Sequence, residues 1–402
     1  MSSSTSLANG RSYLAIPGPS VIPDAVLQAM HRPAPNIYEG GLVAMTETLF
    51  PDLKRVARTR HHVAIYVGNG HAAWEAALAN TVAPGAKVLA LATGRFAYGW
   101  ANMAEGVGAV PQILDFGRRN AVDLNRFAEA LQADTRHGIK AVLVAHVDTS
   151  TSVLNDIAAL RGVLDDVRHP ALLMVDCIAS LGCDRFEMDA WGVDVVVTGS
   201  QKGLMVPPGI SFVFFNDKAD MVRQTLPRVS RYWDWAPRIR PEAYYNYFSG
   251  TAPTHHLYGL RAALDMIHDE GIEAIWARHD RLARAIWAAV NVWGQDGPLQ
   301  LNVMNPDIRS RAVTCLRIGA PHGANLRRYT ASQLGLTLGL GIGMESGDDP
   351  NCDGYFRFGH MGHVSGQMIL GLLGGVQAGL IALDIPHGKG AVEAAALVIT
   401  GG

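Results

Sequence analysis

Short apolar runs alternate with longer segments in which apolar residues recur at helical spacing, and this order constrains the fold most strongly. The runs, at 62–67, 87–92, 141–146, 171–176 and 193–199, have the continuous apolar character of strands buried on both faces. The helical segments between them are 71–82, 96–108, 124–134 and 154–168. Strand, helix and strand in succession predict an α/β fold with a mostly parallel sheet covered by helices. In such sheets, functional sites lie at the carboxyl ends of the strands.

The later part of the chain predicts a second, smaller unit. A long helical segment begins near residue 257, and the apolar segments 310–318 and 355–362 follow it. Of the 402 residues, 49% are hydrophobic and only 17% are charged, so the chain needs a large interior, a subunit interface or both. We divide it into an N-terminal segment (1–23) that packs on the small domain, a large domain (24–271) and a small C-terminal α+β domain (272–402).

Composition narrows the class of protein. The net charge is −2 and no basic stripe is present, which excludes an electrostatic nucleic-acid binder. Four cysteines show no CxxC or zinc-type spacing, so we expect reduced thiols and no metal site. The N-terminus lacks the features of a signal peptide. The apolar segment 366–383 contains two glutamines and five glycines, and we interpret it as a buried helix. We therefore expect a cytoplasmic protein that does not enter a membrane.

Polar groups follow four of the predicted strands. Gly68-Asn69-Gly70-His71 begins a helix, where free backbone N–H groups and the helix dipole favour an anion. The segment 146–153, "HVDTSTSV", is rich in side chains that form hydrogen bonds. Asp176 ends a very apolar strand, and Lys202 follows the last strand within "TGSQKGLMVPPG". Because carboxyl ends of parallel strands share one edge of a sheet, we expect these groups to meet.

Each group also has a plainer explanation. A glycine-rich turn often only caps a helix, a carboxylate after a strand is often an N-cap, and a loop lysine usually points into water. Together, however, they supply an anion site for a phosphate, a carboxylate for a ring N–H⁺ and an amine for a Schiff base. A lysine held partly dry is neutral and nucleophilic. This set matches the requirements of pyridoxal 5′-phosphate, an electron sink whose ring nitrogen must stay protonated.

Residues 175–213, "VDCIASLGCDRFEMDAWGVDVVVTGSQKGLMVPPGISFV", resemble the core of the class V aminotransferases, in particular the serine–glyoxylate and alanine–glyoxylate enzymes. The resemblance continues through "IPGPSVIPDAVLQAM", "GNGHAAWEAALAN", "TAPTHHLYGLRAAL" and "FRFGHMG", and covers nearly the whole chain. It implies a fold type I pyridoxal-phosphate-dependent transferase, with the cofactor in the large domain. It also implies a homodimer or higher homo-oligomer.

The resemblance further implies a role for each residue that matches the family's motifs. Lys202 would form the Schiff base and Asp176 would pair with the pyridinium nitrogen. The other expected contacts are Gly70 and His71 near the phosphate and ring, Phe96 stacked on the ring, Thr149 near the phenolic oxygen, Gln201 at the phosphate, Thr251 at the partner subunit's phosphate, and Arg357 at the substrate α-carboxylate. Phe96 and His71 could instead be simple packing residues, and Arg357 could be held in an ion pair by the acidic stretch 344–355.

The sequence departs from the family's usual pattern close to the expected substrate, at 36–41, at Thr151-Ser152 and at 344–355. These departures leave the donor and acceptor open. We expect transfer of the amino group of a small amino acid (serine, alanine or aspartate) to glyoxylate or pyruvate by a ping-pong mechanism. One alternative is a pyridoxamine–pyruvate aminotransferase, although Asn69 replaces the glutamate that binds that enzyme's free substrate. Another is a lyase or desulfurase on the same fold, for which Cys352 is the candidate nucleophile.

Overall fold

A computed structural model of the chain describes residues 6–401, and within them three β-sheets are formed. The strands are β1 (Tyr13–Ala15), β2 (His62–Gly68), β3 (Lys87–Ala92), β4 (Val110–Asp115), β5 (Ile139–Ala145), β6 (Val147–Asp148), β7 (Val153–Leu154), β8 (Leu172–Asp176), β9 (Val195–Gly199), β10 (Gly209–Phe215), β11 (Gln300–Leu301), β12 (Val313–Arg317), β13 (Leu336–Leu340) and β14 (Tyr355–Gly359).

The α-helices are α1 (Asp24–Met30), α2 (Gly41–Ala57), α3 (Gly70–Thr81), α4 (Arg95–Gly106), α5 (Leu124–Ala133), α6 (Ile157–Asp166), α7 (Asp217–Thr225), α8 (Ala236–Ile239), α9 (Thr254–Glu270), α10 (Ile272–Trp293), α11 (His322–Leu334), α12 (Gly366–Ala382) and α13 (Ala391–Thr400). Short 3-10 helices lie at Tyr244–Phe248, Pro306–Ile308 and Pro350–Gly354.

The largest sheet has seven strands in the order β2-β10-β9-β8-β5-β3-β4. The pairs β9–β8, β8–β5, β5–β3 and β3–β4 are parallel, whereas β10 runs antiparallel to both of its neighbours. One apolar core lies between this sheet and α2, α5, α6 and α9, and a second lies between its other face and α3, α4 and α7. The predicted α/β fold with a mostly parallel, helix-covered sheet is confirmed.

A second sheet has five strands in the order β1-β13-β14-β12-β11. Strand β1, near the N-terminus, pairs in parallel with β13, so the start of the chain joins the sheet of the C-terminal part. Apolar residues of α10, α11, α12 and α13 pack against this sheet in a separate core. We propose the division into 1–23, 24–271 and 272–402 as a description of this arrangement, since Gly271 separates α9 from α10. The first five residues of that N-terminal segment lie outside the described part.

The segment 366–383 contains helix α12, whose inner face packs into the core of the five-stranded sheet. Glycines allow close packing along this helix; a Cβ on Gly379, for example, would press on the Leu326 side chain of α11. Across residues 6–401, each helix is too short or too polar to cross a bilayer.

Candidate active site

The carboxyl edge of the large sheet gathers most of the predicted site residues. Gly70 and His71 begin α3, directly after β2, and Phe96 lies in the first turn of α4, after β3. Thr149 directly follows β6, the short strand after β5, and Asp176 is the last residue of β8. Gln201 and Lys202 follow β9. Parallel strands bring all these positions to one side of the molecule, as their order along the chain predicts.

Asp176 is a buried carboxylate held in a fixed orientation. Its Oδ1 accepts a hydrogen bond from the backbone N–H of Ile178 at 2.7 Å, and its Oδ2 accepts one from Nε1 of Trp74 at 3.1 Å. Desolvation nevertheless raises the pKa of Asp176 to about 7, because the two hydrogen bonds and the nearby Lys202 only partly offset burial. A cationic partner would stabilise the ionised form of this buried carboxylate. A pyridinium N–H⁺ is such a partner.

Lys202 points its amine at the chain reversal before α1. Its Nζ donates a hydrogen bond to the backbone oxygen of Pro17. Gly18 has φ +102°, and a Cβ at this position would lie 2.6 Å from Cδ of Lys202. Glycine is therefore required here both by the backbone conformation and by the lysine side chain. Desolvation lowers the pKa of Lys202 to about 8, with a smaller contribution in the same direction from Arg357. The amine is thus more readily neutral than an ordinary lysine.

The start of α3 and the loop after β9 lie close together. A Cβ on Gly199 would lie 2.8 Å from Oε1 of Gln201 and 3.6 Å from the backbone N of Gly70, so these groups converge on a bare stretch of backbone. Oε1 of Gln201 is buried without a hydrogen-bond partner among the described residues. Because amide O and N are assigned only by their hydrogen bonds, a rotated amide would present a donor here. These groups suit a phosphate, which accepts from N–H groups.

Asn69 and His71 complete this end of α3. Oδ1 of Asn69 accepts hydrogen bonds from the backbone N–H groups of His71 at 3.0 Å and Ala72 at 3.4 Å, which caps the helix. The exposed His71 ring lies 4.5 Å from the ring of Trp74. Desolvation and Arg95 lower the pKa of His71, so its ring is neutral near pH 7.

Phe96 is half-buried and its ring lies edge-on to Trp74, at 6.4 Å between centroids. Its backbone N–H donates to Oδ2 of Asp148 at 2.9 Å. Asp148 also accepts from the backbone N–H of Ser150 at 2.9 Å, and its carboxylate thereby joins the start of α4 to the 146–153 segment. Phe96 is placed at the predicted edge of the sheet by these contacts.

Arg357 on β14 is buried, and hydrogen bonds to two backbone carbonyls fix the orientation of its guanidinium. Its Nε donates to Leu340 at 2.6 Å and its Nη1 donates to Thr149 at 2.8 Å, which links β14 to the 146–153 segment. Its Nη2 makes no hydrogen bond to a residue in 6–401, and no carboxylate of those residues lies within 4.0 Å of the guanidinium. The ion pair considered for the stretch 344–355 is therefore not formed: Glu345 instead contacts Arg118, at 3.3 Å.

Thr251 does not join this cluster. It is exposed and lines a separate cavity of about 390 Å³ together with Tyr38, Tyr245 and neighbouring residues. Tyr38 is 85% exposed and Tyr245 is 60% exposed, which is unusual for aromatic side chains of this size. An exposed Thr251 is compatible with the expected contact to a partner subunit, and that contact stays a prediction.

Sequence reasoning missed Trp74 and Asp148. Trp74 falls on the buried face of an apolar helix, where a tryptophan is ordinarily a packing residue, and its Nε1 bond to Asp176 depends on tertiary structure. Asp148 lies within the polar segment 146–153 that the sequence singles out. Its carboxylate accepts a hydrogen bond from the first turn of α4, a contact between segments that are distant in the sequence. The polar richness of that segment was the only available signal.

The family model and the most similar sequences indicate the same family. The family "Aminotransferase class-V" matches residues 12–338. Serine–glyoxylate aminotransferase of Arabidopsis thaliana is 35% identical over 390 residues, covering 96% of this chain and 94% of that protein. L-aspartate–glyoxylate aminotransferase of Paracoccus denitrificans is 34% identical over 383 residues, covering 95% and 94%.

Solved structures agree in fold. Pyridoxamine–pyruvate aminotransferase of Mesorhizobium loti superposes with a TM-score of 0.85 at 25% identity, covering 98% of each chain. Ureidoglycine–glyoxylate aminotransferase of Bacillus subtilis superposes with a TM-score of 0.87 at 24% identity, covering 98% of this chain and 99% of that one. The second similarity shows the fold alone.

Proposed function

This chain belongs to the class V aminotransferase family, and we propose that it transfers the amino group of a small amino acid (serine, alanine or aspartate) to glyoxylate or pyruvate in a ping-pong reaction. It is an aminotransferase whose cofactor is pyridoxal 5′-phosphate. Relatives named for glyoxylate support this acceptor. One observation carries the proposal: a desolvated amine, a buried carboxylate and a buried guanidinium that has no ion-pair partner among residues 6–401 meet at the carboxyl edge of the large sheet.

We infer that the cofactor is held from three sides. Asp176 would pair with the ring nitrogen, and the Gly70, His71 and Gln201 groups would hold the phosphate. Phe96 would cover one face of the ring, and Thr149 would lie near its phenolic oxygen. When bound, pyridoxal phosphate supplies an electron sink for the negative charge that develops at the substrate Cα. Trp74 acts as a positioning residue, because its Nε1 bond fixes Oδ2 of Asp176.

Two residues would act on the substrate directly. Arg357 would bind the α-carboxylate through the Nη2 side of its fork, while its two carbonyl contacts keep the guanidinium from turning. Lys202 would anchor the cofactor and, once released, take the proton from the donor Cα. Its lowered pKa of about 8 keeps a useful fraction of the amine neutral near neutral pH.

A screen of amino donors against glyoxylate and pyruvate tests this function. We expect serine, alanine or aspartate to support turnover, with parallel lines in double-reciprocal plots because the amine is transferred in two half-reactions. Pyridoxamine with pyruvate is the matched alternative in the same screen. Turnover of pyridoxamine alone, or release of a lyase product without an acceptor, would contradict the proposal.

Replacing Arg357 by lysine should weaken donor and acceptor alike. Lysine keeps the charge but cannot make two parallel hydrogen bonds. We expect a loss of about 1.5–3 kcal/mol in binding, the range for a hydrogen bond to a charged group, seen as a raised KM for both substrates. Cofactor binding should hardly change. If the variant instead melts at a much lower temperature while both KM values stay constant, the arginine is structural.

The active assembly should be a homodimer or a larger homo-oligomer. The exposed Thr251 and the aromatic side chains around it form a surface suited to a partner subunit, and Thr251 would then reach that subunit's phosphate. Sedimentation under assay conditions measures this. We expect activity to follow the oligomer, and Thr251→Ala to weaken phosphate binding while the oligomer persists. A fully active monomer would contradict the expectation.

A further inference from the structure

The cavity beside Arg357 contains an unusual concentration of positive charge. It has a volume of about 420 Å³ and lies between the chain reversal Ile16–Gly18, helix α11 and strand β13. Arg327, Arg328 and Arg357 all line it, and none of the described residues in its lining is acidic. We call it the arginine cavity. Its volume suits a small organic ligand, and its charge favours an anionic one.

The arginine cavity shares a wall with the reactive amine. Pro17 and Gly18 belong to its lining, and the backbone oxygen of Pro17 accepts the hydrogen bond from Nζ of Lys202. Arg357 belongs to the lining as well. Because Arg357 lines the cavity, a donor whose α-carboxylate is bound by Arg357 would have this space within reach of its side chain.

Arg327 is the unusual member of the cavity. Its side chain is half-buried, its Nε is fully buried, and none of its side-chain N–H groups donates to a residue in the described chain. Burial lowers its pKa, and Asp353, which opposes this shift, lies beyond the 4.0 Å distance of an ion pair. Leaving a partly buried cation without a partner is costly, and an anionic ligand would supply the missing partner.

Arg328, the next residue of α11, differs in both respects. It is exposed to solvent, and its Nη2 already donates to Oδ1 of Asn325 at 2.5 Å. Solvent and this hydrogen bond satisfy its guanidinium, so its contribution to ligand selection is expected to be small. The two neighbours therefore provide a built-in comparison.

We propose that the arginine cavity selects amino donors with a second carboxylate, Arg357 binding the α-carboxylate and Arg327 binding the distal one. The substrate class is the acidic amino acids, which leave as 2-oxo dicarboxylic acids. This inference rests on the proposed function and narrows its donor. Two guanidinium groups that recognise two carboxylates favour an acidic donor over one with a neutral side chain, because only the acidic donor gives Arg327 a partner.

Kinetics with aspartate, glutamate, serine and alanine as donors, and glyoxylate as acceptor, test the assignment. We expect Arg327→Gln to lower kcat/KM for the preferred acidic donor roughly 10- to 100-fold, since one charge-assisted contact is lost, and to leave serine and alanine within about 2-fold. Arg327→Lys, which keeps the charge, should fall between. Arg317→Gln, an exposed arginine of the same sheet outside the cavity, and Arg328→Gln are the matched controls. Equal losses for all donors, or a larger loss from Arg328→Gln, would overturn the assignment.

Ligand binding separates this inference from the proposed function. Succinate and butyrate have the same chain length, but only succinate has a second carboxylate, and neither can be transaminated. We expect succinate to raise the melting temperature of the cofactor-loaded protein more than butyrate, and Arg327→Gln to remove the difference. Equal stabilisation by both acids overturns the inference even if serine is transaminated. Preferential succinate binding without turnover of any donor instead supports the binding of a second carboxylate in the arginine cavity and contradicts the proposed function.

Discussion

Replacing Lys202 by alanine should abolish nearly all transamination while the protein still folds and binds pyridoxal phosphate without a covalent bond. Lys202 is the amine whose burial lowers its pKa to about 8 and whose Nζ lies at the chain reversal beside the arginine cavity. On the proposed roles of Lys202, alanine removes both the anchor and the base for the Cα proton. A positioned base alone contributes about 10²–10⁴-fold, so we expect a loss of at least about 10³-fold in kcat.

The matched control is Lys87→Ala. Lys87 begins β3 of the same sheet, at the amino edge, and is exposed to solvent. Its replacement should leave kcat and the absorption of the bound cofactor unchanged. Addition of a small primary amine should restore part of the Lys202→Ala activity, because an external amine can take the proton that Nζ takes. Turnover by Lys202→Ala within about 10-fold of wild type would contradict the assignment, since it is less than one general base supplies.

Replacing Asp176 by alanine or asparagine should have the second largest effect. On the proposed pairing of Asp176 with the ring nitrogen, the variant would lack the partner that keeps this nitrogen protonated, and the electron sink would weaken. We expect a rate loss of roughly 10²-fold or more, the size seen when one preorganised electrostatic contact is removed. Asp156→Asn, at the exposed N-cap of α6, is the control for loss of a carboxylate elsewhere in the protein. Near-normal turnover of Asp176→Asn would point to another partner for the ring.

The Asp176→Asn variant can also be tested without catalysis, through the pH dependence of its stability. Burial raises the pKa of Asp176 from 3.8 to about 7, so in the cofactor-free protein the folded state binds more protons than the unfolded state between these values. The contribution of Asp176 to stability is therefore fully present below pH 3.8 and is lost as pH rises through about 7. Melting temperatures of cofactor-free wild type and Asp176→Asn should diverge across this window, with the variant less sensitive to rising pH. Identical pH profiles would show that Asp176 is not buried as described.

The strands and the edge they share were predictable because their signals are local. Continuous apolar runs identify strands buried on both faces, and β2, β3, β5, β8 and β9 all form within one or two residues of the predicted ranges. Strand β10 was not predicted, although it too is an apolar run; it follows β9 through a Pro-Pro-Gly turn instead of a crossover helix and pairs antiparallel to it. Strand β4 is an edge strand with mostly exposed side chains, so no apolar run marks it. The long helical segment after 257 is two helices, since Gly271 at φ +85° ends α9.

The site was predictable only where the chain itself carries the chemistry. Lys202 and Asp176 stand out because a charged residue lies at or shortly after the end of a buried strand. The contacts that give these groups their properties come from distant parts of the chain: Trp74 reaches Asp176, and Pro17 reaches Lys202. Arg327 lies on a helix whose sequence gives no sign that it faces the same cavity as Arg357. Such tertiary juxtapositions depend on how the two sheets pack together, which residue patterns do not specify.

Borohydride reduction of the cofactor-loaded protein, followed by peptide mapping, tests the central claim most directly. Reduction fixes pyridoxal phosphate to the amine that holds it, and the modified peptide is then identified by mass. We predict one labelled peptide, containing the segment 198–209, with the label on Lys202 and none on Lys87 or Lys218. A label on any other lysine, or a protein that binds the cofactor but yields no labelled lysine, would contradict the account of this site.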